Sequence, residues 1–158
     1  MTSLYQAMLS QAAIGHMLSV RDVSKFSAAE IRQTMADLVA ADKIPLANAL
    51  AAAGQSLYPE SEEILAISAL LAEIQQDWNT AEDMLRKLVE TQGAAATPFT
   101  WRHLIRVLRC QCEPGQAMQA AQQAMAAHPT DDTLRDEFLA LQELVSAQVP
   151  VAGSAQMH

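Results

Sequence analysis

The chain has 158 residues, of which 51% are hydrophobic and only 4% aromatic, and its formal net charge is −8. That length is enough to bury a real core, and the abundance of Ala, Leu, Met, Gln and Glu predicts an all-α protein. The acidic balance argues against general binding to nucleic acids or to anionic membranes, because both require clustered positive charge.

The two cysteines, Cys110 and Cys112, do not make a disulfide framework, so a reducing compartment is expected. The N-terminus carries no positive charge ahead of its apolar residues and is a poor signal peptide. No apolar run is long enough for a membrane-spanning helix, so no membrane insertion is expected. The sequence therefore predicts a cytoplasmic protein.

Residues 2–20 are predicted to form one short amphipathic helix, weakened by Gly15. Its apolar face must be buried either on the rest of the chain or on another chain. A polar link over residues 21–26 follows. The apolar residues at helical spacing are Leu4, Met8, Leu9, Ala12, Ala13, Met17 and Leu18.

The next segment contains two helices. Ser27 and Glu30 form a capping box, in which each side chain bonds the other residue's backbone N–H. The helix that follows should end near Ala41, and Pro45 suits the first turn of a second helix. Gly54 is expected to end that second helix.

The central segment, residues 62–93, predicts a second pair of helices. Ser61 is expected to cap its first helix, and Trp78 lies in the predicted turn. The second helix should begin at Thr80 and end at Gly93. Trp78 is either a core side chain or an exposed contact.

The third segment predicts another pair of helices and a final single helix. Thr97 caps the pair, and residues 113–115, Glu-Pro-Gly, separate its two members. Thr130 is expected to cap the final helix, over residues 131–147. The predicted domains are an N-terminal helix and link (1–26), a helical domain (27–147) and a flexible tail (148–158).

The three pairs can be aligned on an alanine near the start of each second helix. Ala47, Ala81 and Ala117 recur at a nearly constant interval of about 34 to 36 residues. A small residue at this position lets two helices approach closely. The other aligned sets are Ile31, Leu65 and Trp101; Ala51, Leu85 and Ala121; and Gly54, Leu88 and Ala124.

A helix–turn–helix period of about 34 residues, with Trp101, Leu104 and a closing proline at 59 and 129, resembles the tetratricopeptide repeat (TPR) family. The resemblance covers about residues 28–131. It implies a right-handed stack of three hairpins, with the N-terminal helix before it and a C-terminal capping helix after it. It also implies that the first helix of each hairpin lines a concave groove.

The family resemblance further implies a protein–protein interaction module, an adaptor or chaperone that holds a partner segment in this groove. The first two hairpins would supply an apolar floor and the third an arginine-lined end, so the partner would be a protein or peptide segment with acidic and apolar residues. The expected partner-binding residues are Arg32, Ala36, Val39, Ala66, Leu70, Glu73, Ile74, Arg102, Arg106 and Arg109.

Arg102, Arg106 and Arg109 are spaced i, i+4, i+7 and so share one helix face. Like charges at this spacing destabilise a helix by roughly 0.2–0.5 kcal/mol per pair, so negative groups should compensate them. Those groups are either a partner's carboxylates, bound through bidentate contacts, or acids of the same chain, with Glu73 and Asp77 the nearest candidates.

Two further interpretations remain open. The chain could be a structural subunit of a larger assembly, or a homodimer, in which the N-terminal helix or the groove is permanently buried. By size, charge and repeat number it is also similar to the TPR chaperones of bacterial type III secretion, which would imply partner subunits kept soluble before export.

No catalytic chemistry is expected. Cys110 and Cys112, with His103 nearby, lack the spacing and the second ligand pair of a zinc site. The sequence has no glycine-rich phosphate loop and no Gly-x-Ser-x-Gly motif. We therefore expect no cofactor, no metal and no enzyme activity.

Overall fold

The computed structural model describes residues 2–13, 15–16 and 18–148, and this part of the chain contains helices and no strands. The prediction of an all-α protein is confirmed. The predicted tail lies outside the described residues, except that Gln148 ends the last helix. The helices are α1 (Leu4–Ala13), α2 (Val20–Val23), α3 (Ala28–Ala40), α4 (Ile44–Leu57), α5 (Glu62–Ile74), α6 (Trp78–Gln92), α7 (Pro98–Cys110), α8 (Pro114–Ala127) and α9 (Asp132–Gln148), with a 3-10 turn at Gly93–Ala95.

The chain divides into two compact units, Met1–Gln92 and Gly93–His158. In the first unit, α1 packs on α3, and α3 packs on α5. The helix α4 packs on α3, and α6 packs on α5, so that each pair forms a hairpin. In the second unit, α7 and α8 form a hairpin and α9 packs against both. The predicted domain of residues 27–147 spans parts of both units and stays a prediction.

The turn inside each hairpin has the same backbone conformation. Asp42, Gln76 and Cys112 have φ angles of 57°, 59° and 58°, although none of them is glycine. In each turn the next residue donates its N–H to a carbonyl five positions earlier, which is the bond of a Schellman motif. These bonds are Lys43 to Leu38 at 2.8 Å, Asp77 to Ala72 at 2.9 Å and Glu113 to Leu108 at 3.0 Å. The turns recur at the spacing of the aligned alanines, which confirms the repeat.

The helix caps recur at the same spacing. Ser27, Ser61 and Thr97 each accept a hydrogen bond from the backbone N–H three residues later, as predicted. The predicted cap Thr130 is wrong. Asp131 caps α9 instead, accepting from the N–H of Leu134 at 2.8 Å. Since Asp131 follows Thr97 by one repeat period of about 34 residues, α9 starts where the first helix of a fourth repeat would start.

Three predicted helix boundaries are corrected. The helix α4 continues through Gly54 to Leu57. Gly54 allows close packing rather than ending the helix, since a Cβ on it would lie 3.2 Å from Cγ2 of Ile31. Trp78 is half-buried and begins α6 rather than lying in a turn, because Asp77 accepts from the N–H of Thr80 at 3.2 Å and so caps the helix. The helix α8 begins at Pro114.

The N-terminal segment is not one helix to residue 20. The helix α1 ends at Ala13 and is followed by Gly15, whose φ is +77°, so the chain turns there. The predicted link contains α2, and Val23 at its end is buried. Together with Leu4 and Met8 of α1 it belongs to the core of the first unit, so these two residues of the predicted apolar face are buried on this chain itself, whereas Ala13 is exposed.

The core confirms the repeat alignment. Ala47, Ala81 and Ala117 each have 0% exposure, in three different second helices. Trp101 is a core residue as predicted, and Leu104 lies buried on the same helix. The three alanines therefore occupy equivalent surroundings, as closely packed hairpins require.

Candidate partner-binding surfaces

The first unit presents a mainly apolar surface on the sides of α3 and α5 that do not face α4 and α6. We call it the apolar face. On α5, Leu70 is 38% exposed and Ile74 57% exposed, although both are aliphatic. The remaining predicted residues of this face are Arg32, which is exposed, and Ala36, Val39, Ala66 and Glu73, which are half-buried.

The exposure of Leu70 and Ile74 is unusual because the other large aliphatic side chains of α3 and α5 are buried or half-buried. In α3, Ala36 occupies the position equivalent to Leu70. Exposed apolar surface marks interaction sites more often than it occurs by chance. The predicted residues of the first two hairpins lie on α3 and α5, which pack on each other.

The second unit carries the predicted arginine stripe. Arg102, Arg106 and Arg109 are exposed along α7, while the other face of that helix is buried. Nη1 of Arg109 lies 2.9 Å from Oε2 of Glu137 on α9. Arg109 therefore pairs with an acid of the same chain, Glu137, which was not among the acids suggested by the sequence.

A cleft of about 400 Å³ lies beside this ion pair, between α7 and α9. We call it the α7–α9 cleft. Its lining residues are Arg106, Arg109, Cys110, Glu137 and Leu144. Sequence reasoning missed Glu137 and Leu144, because it treated α9 as a cap and assigned it no binding residues. The recurrence of helix caps at a nearly constant interval was the signal that α9 is a first helix.

Comparison with solved structures supports the repeat. The chain matches the crystal structure of YrrB, described as a TPR protein with an unusual peptide-binding site, with a TM-score of 0.58 and 17% sequence identity. The match covers 71% of this chain and 57% of that one, so this chain corresponds to less than two thirds of YrrB. No protein-family model matches the chain, and no curated protein matches it.

The chain has the TPR fold. The predicted stack of TPR-like helical hairpins is confirmed, and α1 and α2 precede it, with α1 packed on α3 and α2 on α4. The similarity to type III secretion chaperones gains no support from these comparisons and stays a prediction.

Two further clefts lie within the first unit of the TPR stack. One, of about 540 Å³, lies between the start of α1 and α3. The other, of about 290 Å³, is formed by α4, α5 and α6 and includes Ser68 in its lining. The hydroxyl of Ser68 is buried and has no hydrogen-bond partner. Across this cleft the side-chain amides of Asn48 and Gln75 bond each other reciprocally at 2.8 Å.

In the described part of the chain, no group of three or more His, Cys, Asp or Glu side chains is placed to hold a metal ion. Cys110 and Cys112 are exposed free thiols. His103 is buried, and its ring lies 5.7 Å from that of Phe99. None of the described helices is both long enough and apolar enough to cross a membrane.

Proposed function

We propose that this chain is a protein-interaction module, which binds a segment of a partner protein on the apolar face of its first unit. The observation that carries the proposal is the exposure of Leu70 and Ile74 on a helix whose other aliphatic residues are buried or half-buried. Covering the part of each side chain that is still exposed would contribute about 0.5–1.7 kcal/mol, in proportion to its exposed fraction. YrrB is described as having a peptide-binding site, which supports a peptide as the ligand class.

Each of the two surfaces suits a different kind of partner side chain. Aliphatic or aromatic side chains would cover Leu70 and Ile74, as anchors do at the centres of interfaces. Acidic side chains would suit the exposed arginines of α7, because guanidinium groups bind carboxylates through paired hydrogen bonds. The net charge of −8 makes a nucleic acid an unsuitable partner. Nothing in these surfaces calls for a cofactor or a reaction.

The test is selection from a random-peptide display library against the purified full chain, followed by binding measurements on the selected peptides. Ile74→Ser should weaken their binding by roughly tenfold or more, because an interface anchor is lost. The matched control is Val20→Ser, since Val20 is 45% exposed, also aliphatic, and lies on α2. Equal effects of the two variants, or no selected peptide at all, would contradict the proposal.

The arginine-lined end is tested separately by charge reversal. Arg102→Glu together with Arg106→Glu should reduce capture of acidic peptides and leave the helical circular dichroism signal unchanged. Unchanged capture would mean that these arginines serve only contacts within the chain.

Self-association is the second candidate function, because an exposed apolar face also suits a second copy of the same chain. Light scattering coupled to size-exclusion chromatography distinguishes self-association from binding to a partner of different sequence. A dimer that Ile74→Ser dissociates favours a structural role, whereas a monomer favours a partner of different sequence. Removal of residues 1–20 is a poor test, since Leu4 and Met8 belong to the core. The roles of adaptor and chaperone, and a cytoplasmic location, remain predictions from the sequence.

A further inference from the structure

The α7–α9 cleft contains an ion pair that is only partly shielded from water. The side chains of Arg109 and Glu137 are 43% and 33% exposed, and a single contact of 2.9 Å joins Nη1 to Oε2. Partly exposed pairs of this kind stabilise a protein by roughly 0.2–1 kcal/mol. The pair can therefore be exchanged for another carboxylate with little loss of folding stability.

The surroundings of the pair suit a peptide side chain as the replacement. Arg106 lines the same cleft and adds a second guanidinium group, while Leu144 offers an aliphatic surface that is 37% exposed. A cleft of about 400 Å³ is large enough for an acidic side chain with one apolar neighbour.

We propose that Glu137 occupies, from within the chain, the position that an acidic side chain of the partner takes on binding. The incoming carboxylate replaces Glu137 at Arg109, and an apolar residue of the same segment contacts Leu144. Glu137 is then an internal competitor that lowers affinity and selects partners able to displace it. The inference rests on the proposed function, because it needs a partner segment, but it uses residues outside the apolar face.

A carboxylate suits this position better than a polyanion. The group that Arg109 already holds is a carboxylate, so the replacement keeps the same geometry and charge. A nucleic acid would bring many charges towards a chain whose net charge is −8.

The experiment uses the full chain and the peptides selected from the random-peptide library. Glu137→Gln should bind the acidic peptides about two- to fivefold more tightly, since the competing ion pair is gone. Arg109→Gln should bind them roughly tenfold more weakly, because a hydrogen bond to a charged group is lost. In the double variant the gain from Glu137→Gln should disappear, since it requires Arg109.

The matched control is Asp136→Asn, which removes the same charge from the neighbouring position of α9. Asp136 is exposed and does not line the cleft. An equal gain from Asp136→Asn would show a general charge effect and overturn the inference, as would unchanged or weaker binding by Glu137→Gln.

The selection also separates this inference from the proposed function. If no variant selects any peptide, the proposed function fails and this inference fails with it. If peptides are selected that need Ile74 but contain no acidic residues or ignore Arg109, the proposed function stands and the internal competitor is overturned. Circular dichroism on each variant confirms that the helices are intact.

Discussion

At the scale of single residues, Thr34 and Ser68 occupy the same position in successive first helices, since each is the seventh residue after the serine that caps its helix. Both are buried. The hydroxyl of Thr34 donates to the carbonyl of Glu30 at 2.8 Å, whereas that of Ser68 has no partner. A buried hydroxyl without a partner retains its desolvation penalty and gains nothing in exchange.

Ser68→Ala should therefore stabilise the protein by about 1 kcal/mol, because it removes the unpaired hydroxyl and places a better helix former in α5. Thr34→Val is the matched control, since it replaces a bonded hydroxyl with a methyl group of similar size, and it should destabilise by about 1 kcal/mol. Urea unfolding followed by circular dichroism measures both. Destabilisation by Ser68→Ala would show that its hydroxyl makes a contact in solution.

Asp22 gives a prediction about pH. The Ser19 hydroxyl donates to its carboxylate at 2.8 Å, and with the backbone N–H of Ser19 this holds the pKa of Asp22 below its ordinary value of 3.8. Since the folded pKa is the lower one, the stabilisation is fully present above pH 3.8 and is lost as pH falls through the lowered pKa.

Ser19→Ala should raise the pKa of Asp22 towards 3.8, because the largest cause of the shift is removed. An NMR titration of the carboxyl carbon reports it. Ser24→Ala is the control, as the Ser24 hydroxyl donates to the Arg21 carbonyl at 2.6 Å. A pKa that stays low in Ser19→Ala would assign the shift to the backbone N–H of residue 19 and the nearby cations instead.

At the scale of elements, the three hairpin turns place a non-glycine residue in the left-handed region, which is unfavourable for a side chain. Gln76→Gly should stabilise by about 0.5–1 kcal/mol, the relief of strain exceeding the added flexibility of the unfolded chain. Asp42→Gly should gain less, because aspartate tolerates this conformation better. The change in stability is measured as a shift in the midpoint of urea unfolding. No stabilisation by Gln76→Gly would mean that the turn is unstrained.

Some features of the helices depend only on residues close in sequence, and others depend on contacts between distant residues. The capping box at Ser27 and the caps at Ser61 and Thr97 were predictable, because a cap bonds a backbone group three residues away. Gly54 was wrongly predicted to end α4. Its role is close contact with Ile31, and the sequence alone does not show which residues meet in space. The helix α2 was missed since four residues carry too little periodicity to be recognised.

At the scale of the whole molecule, the first unit should fold alone, because a large cluster of its buried residues, from Leu4 to Leu71, is made entirely within it. A chain of residues 1–92 is expected to be helical and to unfold in one cooperative transition in urea. A chain of residues 27–92 should be less stable, since loss of α1 and α2 exposes the core that Leu4, Met8 and Val23 cover. Gradual loss of helix in the longer chain would contradict independent folding.

The candidate binding residues also differ in whether the sequence alone could identify them. The sequence predicted Leu70, Ile74 and the arginines of α7, because equivalent positions in a repeat face the same way. It could not identify Glu137 as the partner of Arg109, since 28 residues separate them and only the packing of α9 on α7 brings them together.

The even spacing of the first two hairpins has a consequence for engineering a longer stack. Residues 27–60 span one full period, from one serine cap to the residue before the next. A second copy inserted after residue 60 would present to α5 the hairpin surface that α5 already meets, while its own first helix would meet α3 and α4 in place of α5. The chain can thus be lengthened by duplication of its own hairpin, and a longer binding face would follow once that single new junction packs.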